Sequence, residues 1–168
     1  MKRFIVLILL SALVFPGYAQ IKKQISGNLL PGVSFKIKRC LRSGSDVIID
    51  LQITNESEED LGGNYPRCCW LYTPVLFDDE GNEYNYYKSS YQATPYWEDT
   101  EGKRPYIEIW IPAGISKRFR LHVPKVSGYS SEFQLMDFKF MWTRVFDQQR
   151  NEVNVRYRNI PIRSANQE

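Results

Sequence analysis

Val33 to Thr54, VSFKIKRCLRSGSDVIIDLQIT, alternates apolar and polar side chains on both sides of a short turn. Val33, Phe35, Ile37 and Leu41 share one parity, while Ser34, Lys36, Lys38 and Cys40 share the other. Arg42-Ser43-Gly44-Ser45 supplies the turn. Beyond it Val47, Ile49, Leu51 and Ile53 face one way and Asp50 and Gln52 the other. A period of two marks a strand with one buried and one wet face, so this segment is predicted to be a β-hairpin.

The same period governs most of the chain downstream. Trp70 to Phe77 reads as a strand running into Asp78-Asp79-Glu80-Gly81-Asn82, whose Gly and Asn tolerate positive φ, and Glu83 to Tyr87 returns. Residues 88–105 lack alternation and read as a long loop with a short turn of helix. Tyr106 to Ile111 and Lys117 to Val123 flank Pro112-Ala113-Gly114-Ile115-Ser116 and read as another hairpin. With Ile109 opposite Phe119, Ile107 faces Leu121 on the buried side, while Glu108 meets Arg120 and Trp110 meets Arg118 outside. Glu132 to Trp142 and Val153 to Tyr157 form a last pair, with Met136, Phe138, Phe140 and Trp142 on one parity. About seven to nine such strands predict an all-β, antiparallel sandwich.

The first residues say where such a domain works. Lys2 and Arg3 precede an apolar run from Phe4 to Phe15, then Pro16-Gly17 and the small-residue site Gly17-Tyr18-Ala19. That is the pattern of a cleavable secretory signal over 1–19. Twelve residues make roughly 18 Å of helix, short of the roughly 30 Å hydrocarbon layer, so no stable membrane span is expected. Export to the periplasm or the extracellular space follows. Cleavage after Ala19 leaves 149 of the 168 residues, the size of one domain. The expected organisation is an exposed lead-in at 20–32, the sandwich at 33–163 and a tail at 164–168. Two of the 22 basic residues leave with the signal, so the net charge falls from +3 to +1. That balance argues against nucleic acid as a partner.

Cys40, Cys68 and Cys69 form an odd set in a compartment that permits disulfides. Adjacent cysteines bridge each other only with strain, so Cys40 with Cys68 or Cys69 is the intramolecular bond to expect. The alternative is three buried, reduced cysteines packing as small hydrophobes. Three cysteines and the single His122 lack the spacing of a structural zinc site. Neither metal nor cofactor is expected.

Three patterns fall in order: Asp50-Leu51-Gln52-Ile53-Thr54-Asn55 closing a strand, Asp78 to Tyr84 in a turn, and Ile111 to Ser116 leading into Phe119-x-Leu121-x-Val123-Pro124. Together they resemble the immunoglobulin-like, telokin-like domains of unknown function common in secreted and lipid-anchored bacterial proteins. The resemblance covers roughly residues 33–124 and implies an immunoglobulin-like β-sandwich serving in adhesion, envelope or partner binding. It carries over no catalytic residue. The lipid-modified cysteine of many such proteins is missing after the apolar run, since the first cysteine is Cys40.

The chemistry-bearing residues favour binding over catalysis. His122 shares its parity with Arg118 and Arg120, on the solvent side and away from a nucleophile. Acids cluster in turns, at Glu56 to Asp60 and Asp78 to Glu80, without the alternating spacing of a calcium loop. Asn55-Glu56-Ser57 fits a glycosylation sequon. Tyr84, Tyr86, Tyr87, Tyr91, Tyr96 and Trp97 crowd fourteen residues, and rings with polar handles suit sugar stacking and protein contact alike. The expected function is a non-enzymatic interaction module for a protein or glycan partner. Its candidate surface comprises Tyr91, Tyr96, Trp97, Trp110, Arg118 and Arg120. Alternatives are a carbohydrate-binding module using the 84–106 loop, a glycoside or other hydrolase with carboxylate catalysis, and an envelope or filament subunit.

Overall fold

The hairpin expected over 33–54 forms: Val33–Ser43 and Asp46–Asn55 pair antiparallel in the computed structural model, which describes residues 20–63, 67–98, 102–144 and 150–164. The proposed signal 1–19 lies outside the described residues. In chain order the strands are Lys22–Gly27 (β1), Val33–Ser43 (β2), Asp46–Asn55 (β3), Arg67–Tyr72 (β4), Val75–Asp78 (β5), Glu83–Tyr84 (β6) and Tyr96–Trp97 (β7). Tyr106–Ile109 (β8), Ser116–Val123 (β9), Glu132–Arg144 (β10), Arg150–Arg158 (β11), Ile160–Pro161 (β12) and Arg163–Ser164 (β13) follow.

Two sheets result, giving the expected all-β sandwich. The larger has the order β1-β11-β10-β4-β8, with β5 and β12 also on β10 and β6 on β5. The smaller has the order β13-β2-β3-β9-β7. All pairs are antiparallel except β13 with β2. Inward residues of both sheets fuse into one core, where Phe35 of β2 meets Phe138 and Phe140 of β10 edge-on, with centroids 5.8 and 5.4 Å apart. Edge-to-face contact is a favoured ring geometry, so these three rings help fix how the sheets stack.

Several expectations are corrected. Residues 20–32 are not merely a lead-in: β1 pairs with β11 from Lys22↔Arg158 to Gly27↔Val153, and Ile25 packs against the core. In β2 the register slips between Ile37 and Arg39, so Lys38 is a bulge. One extra residue flips the parity beyond it. Cys40 is therefore buried while Leu41 is only half-buried, the reverse of the alternation read from the sequence. The single strand expected over 70–77 is two, β4 and β5, broken at Thr73-Pro74, where Pro74 has no N–H to donate and Thr73 N–H turns to Pro105 O. The long loop contains the expected helical turn, Tyr91–Ala93, and also β7, which lies along β9.

The largest correction concerns the hairpin of 106–123. β8 pairs with β4, placing Ile109 beside Cys69, whereas β9 pairs with β3, placing Phe119 beside Leu51. Residues 110–115 thus cross from one sheet to the other. Both sheets turn their apolar parity toward the same core, so alternation cannot separate a hairpin from a crossover. The crossing is secured where Leu61 and Ile111 exchange backbone bonds of 2.9 and 2.8 Å. Gly62, at φ +82°, lets that approach happen: a Cβ there would lie 1.7 Å from Ile109 O.

No disulfide links the three cysteines. Cys40 lies buried in the smaller sheet, while Cys69 is buried and Cys68 half-buried on β4 of the larger. Burial pushes the Cys40 thiol far above its ordinary range, keeping it protonated and unreactive. Iodoacetamide is expected to label Cys68 in the native protein and all three residues only after unfolding without reductant. Recovery of a single alkylated cysteine in the denatured chain would restore the disulfide.

Candidate functional site

The outer face of the larger sheet departs from the wet surface that alternation predicts. Val75-Leu76-Phe77 and Leu135-Met136 are apolar on both parities; Leu76 and Met136 enter the core, leaving Val75, Phe77 and Leu135 half-buried outside. Tyr72 continues this surface on β4, and Tyr106 of the neighbouring strand lies 5.4 Å from it, centroid to centroid. Tyr87 rises beside them at 77% exposure, its backbone N–H bonded to Asn85 Oδ1 and its ring meeting Tyr86 edge-on at 5.2 Å. Tyr72, Val75, Phe77, Leu135 and Tyr87 bound an open trough of about 530 Å³.

Its polar wall is ordered by ion pairs. Arg156 Nε donates to Asp137 Oδ2 at 2.9 Å, and Lys139 Nζ lies 2.8 Å from Glu152. The same ammonium sits 5.9 Å from the Tyr72 ring centre, and Asn154 completes the wall. The trough therefore joins rigid aromatic area to carboxylate, amide and ammonium groups, a mixture that recognises ligands by stacking and hydrogen bonding together.

The outer face of the smaller sheet has a different character. Asp50 is wholly buried at its centre, flanked in register by Arg39 on β2 and Arg120 on β9. Arg39 Nε bonds Oδ2, Arg120 Nε donates to Oδ1 at 3.1 Å, and Arg118 Nη1 lies 3.6 Å from Oδ2. The bulge at Lys38 is what brings Arg39 opposite Asp50. Glu98 reaches in from the end of β7, 3.2 Å from Arg120 Nη1. The hydrogen bond to Asp50, then the charges of Asp50 and Glu98, hold the Arg120 guanidinium above its ordinary range. His122 stacks on Tyr96, with centroids 5.0 Å apart and planes 9° apart; its Nε2 is 3.7 Å from Glu98, beyond a hydrogen bond.

The six residues of the expected surface are thus divided. Arg118 and Arg120 share the arginine face, with Tyr96 at its edge. Tyr91 is exposed, and the Lys103 ammonium lies 4.9 and 5.0 Å from the Tyr91 and Tyr96 ring centres. Trp97 is only 1% exposed and belongs to the core, which removes the three-ring stacking platform. Trp110 is exposed but stands at the crossover, where its Nε1 donates to Asp60 Oδ2 at 3.3 Å, rather than opposite Arg118. Sequence reasoning missed Tyr72, Phe77 and Leu135; the signal available was a strand pair apolar on both parities.

The turn acids are structural anchors. Asp78 Oδ1 accepts the N–H groups of Glu80 and Asn82, and Oδ2 accepts Asn82 Nδ2, the Tyr84 hydroxyl and the Ser130 hydroxyl. Desolvation raises its pKa, yet the donors outweigh it and hold the carboxyl below its ordinary value. Asp79 behaves likewise: desolvation is outweighed by the hydroxyl and N–H of Ser131. Glu83 is lowered by hydrogen bonds from Asn85 and Lys88. Tyr84, desolvated and bonded to Asp78, is pushed up to about 12. The sequon residue Asn55 is buried, its Nδ2 directed at the carbonyls of Glu59, Ile111 and Pro112. No glycan fits there in the folded chain. Among the described residues, no group of three or more His, Cys, Asp and Glu is arranged to hold a metal, and no helix is long and apolar enough to cross a membrane.

No protein-family model matches the chain, and no curated protein matches it. Among solved structures it is similar to a penta-heme cytochrome c552 from Thermochromatium tepidum at 11% identity and TM-score 0.38, covering 67% of this chain and 32% of that one. A beta-glucuronidase from Bacteroides uniformis is similar at 12% identity and TM-score 0.33, covering 73% of this chain and 12% of that one. The chain spans about a third or less of the length of these structures, and the likeness carries no argument about activity.

Proposed function

We propose that the protein is an exported, non-enzymatic binding module of immunoglobulin-like type, whose ligand seats in the trough on the larger sheet. The observation carrying this reading is the cluster of Tyr72, Tyr87, Phe77 and Leu135, left outside the core and ringed by the Asp137–Arg156 and Lys139–Glu152 pairs. Aromatic anchors encircled by polar groups are the anatomy of an interaction hot spot. Hydrogen bonds hold the acids of the 78–83 turn below their ordinary values, so Asp78, Asp79 and Glu83 do not supply the carboxyl kept protonated near neutrality that a hydrolase needs. The leader 1–19 supports a periplasmic or extracellular site of action.

An oligosaccharide is the second reading, favoured by Asn154 and Asp137 standing beside the tyrosine faces. Both readings are tested by glycan-array and pull-down comparison of the wild type with Tyr87→Ala. Tyr87 is nearly all exposed, so its removal leaves the fold intact. The expected result is about tenfold weaker binding in whichever assay detects the ligand. Unchanged binding in both would reject the trough.

A further inference from the structure

The arginine face carries more positive charge than its carboxylates neutralise. Lys36↔Gln52↔Arg118 and Arg39↔Asp50↔Arg120 run across three strands in register. Lys36 and Arg39 on β2, and Arg118 and Arg120 on β9, therefore stand at the corners of a grid with Asp50 and Gln52 between them. Asp50 offsets one of the four charges, and Glu98, half-exposed at the rim, another. The excess is concentrated on one flat face of a chain whose formal net charge is only +3. The arginine side chains keep 34, 55 and 35% of their surface in water at Arg39, Arg118 and Arg120. Among the described residues Arg118 makes only the 3.6 Å contact to Asp50, so most of its donors face solvent.

We propose that this face binds an acidic polysaccharide, with ligand carboxylates on Arg118 and Arg120. Three features select that class. Guanidinium matches carboxylate in shape and in donor placement. Glu98 already makes the contact a ligand carboxylate would make, on a guanidinium it can release. The spacing is about 10 Å across two strand gaps and about 7 Å between Arg118 and Arg120, which suits charges repeated along a linear polymer better than one compact anion. Buried Asp50 orients the arginines without covering them, since it lies beneath their exposed ends. The site lies on the opposite side of the sandwich from the trough and does not depend on it.

The test is titration calorimetry of the purified protein with polygalacturonate oligomers at several salt concentrations, with neutral dextran, phosphatidylglycerol vesicles and duplex DNA as competing probes. The expected result is oligouronate binding that weakens with salt, as counterion release requires. Arg118→Gln should weaken it roughly fivefold with an unchanged melting temperature. Glu98→Gln, which removes the resident carboxylate, should tighten it. Tyr87→Ala, on the far side, should leave it unaltered. No oligouronate binding, or binding indifferent to both Arg118→Gln and Glu98→Gln, overturns the proposal. So does preference for the vesicles or the DNA, which would assign the face to a lipid surface or a nucleic acid.

Discussion

Asp78→Ala is expected to cost about 3–5 kcal/mol of folding free energy, because one buried carboxylate accepts five hydrogen bonds and its removal orphans their donors. The Tyr84 and Ser130 hydroxyls would lose a partner in a buried region, while the donors of Asn82, in the exposed turn, would turn to water. The Asp78 to Asn82 turn and the segment around Ser130 would loosen together. For a domain of this size the shift corresponds to roughly 10 °C in melting temperature. The pH dependence carries the same sign. A carboxyl held below its ordinary value of 3.8 stabilises the fold above that value, and the contribution is lost as pH falls through the lower, folded value. Asp79 adds to the same arm. Urea titrations between pH 7 and pH 2 should therefore show stability falling below about pH 4, with a shallower fall in Asp78→Asn. A loss under about 1 kcal/mol in Asp78→Ala at pH 7 would mean that water replaces the carboxylate.

Asn55→Asp is the second large effect, expected at about 3–4 kcal/mol. The native amide donates toward the carbonyls of Glu59, Ile111 and Pro112, at 2.9, 3.1 and 3.2 Å, while its oxygen accepts the N–H and hydroxyl of Ser57. Exchanging that donor for a second acceptor sets a buried carboxylate against three carbonyl oxygens. The damage falls on the passage between the sheets, so hydrogen exchange at the Leu61 and Ile111 amides should accelerate before exchange in β10. Protection of those amides equal to the wild type would show that Leu61 and Ile111 hold the passage without Asn55.

What was legible in the sequence followed from one physical regularity, and so did what was not. Parity identified the inward faces of β3, β9 and β10, because a strand with one buried and one wet face must alternate. Parity is silent about which sheet a strand joins, so Ile107 and Ile109 looked like partners of Leu121 and Phe119 when they line the opposite wall of the same core. A single inserted residue, Lys38, exchanged Cys40 for Leu41 inside. It also moved Arg39 onto Asp50, a contact no spacing rule discloses. Trp97 looked like one more ring in an aromatic loop, but β7 carries it onto the edge of the smaller sheet and turns it inward. The trough was hidden for the opposite reason: Phe77 and Leu135 look like core residues, and only the sheet order leaves their side uncovered.

The thirteen-residue strand β10 is the common partner of β4, β5, β11 and β12. Its position late in the chain has a consequence for the order of assembly. A growing chain has made β1, β4, β5, β6 and β8 before residue 132 appears; β4 can then pair with β8 and β5 with β6, but these two pairs are joined to each other only through β10, and β1 waits for β11. β2, β3 and β9, by contrast, are complete by residue 123 and can form their sheet first. The half-built larger sheet would then wait with its apolar face open, a state that invites aggregation if it lasts. Closure of the larger sheet by β10 and β11 is thereby a late step, followed only by the short pairings of β12 on β10 and β13 on β2.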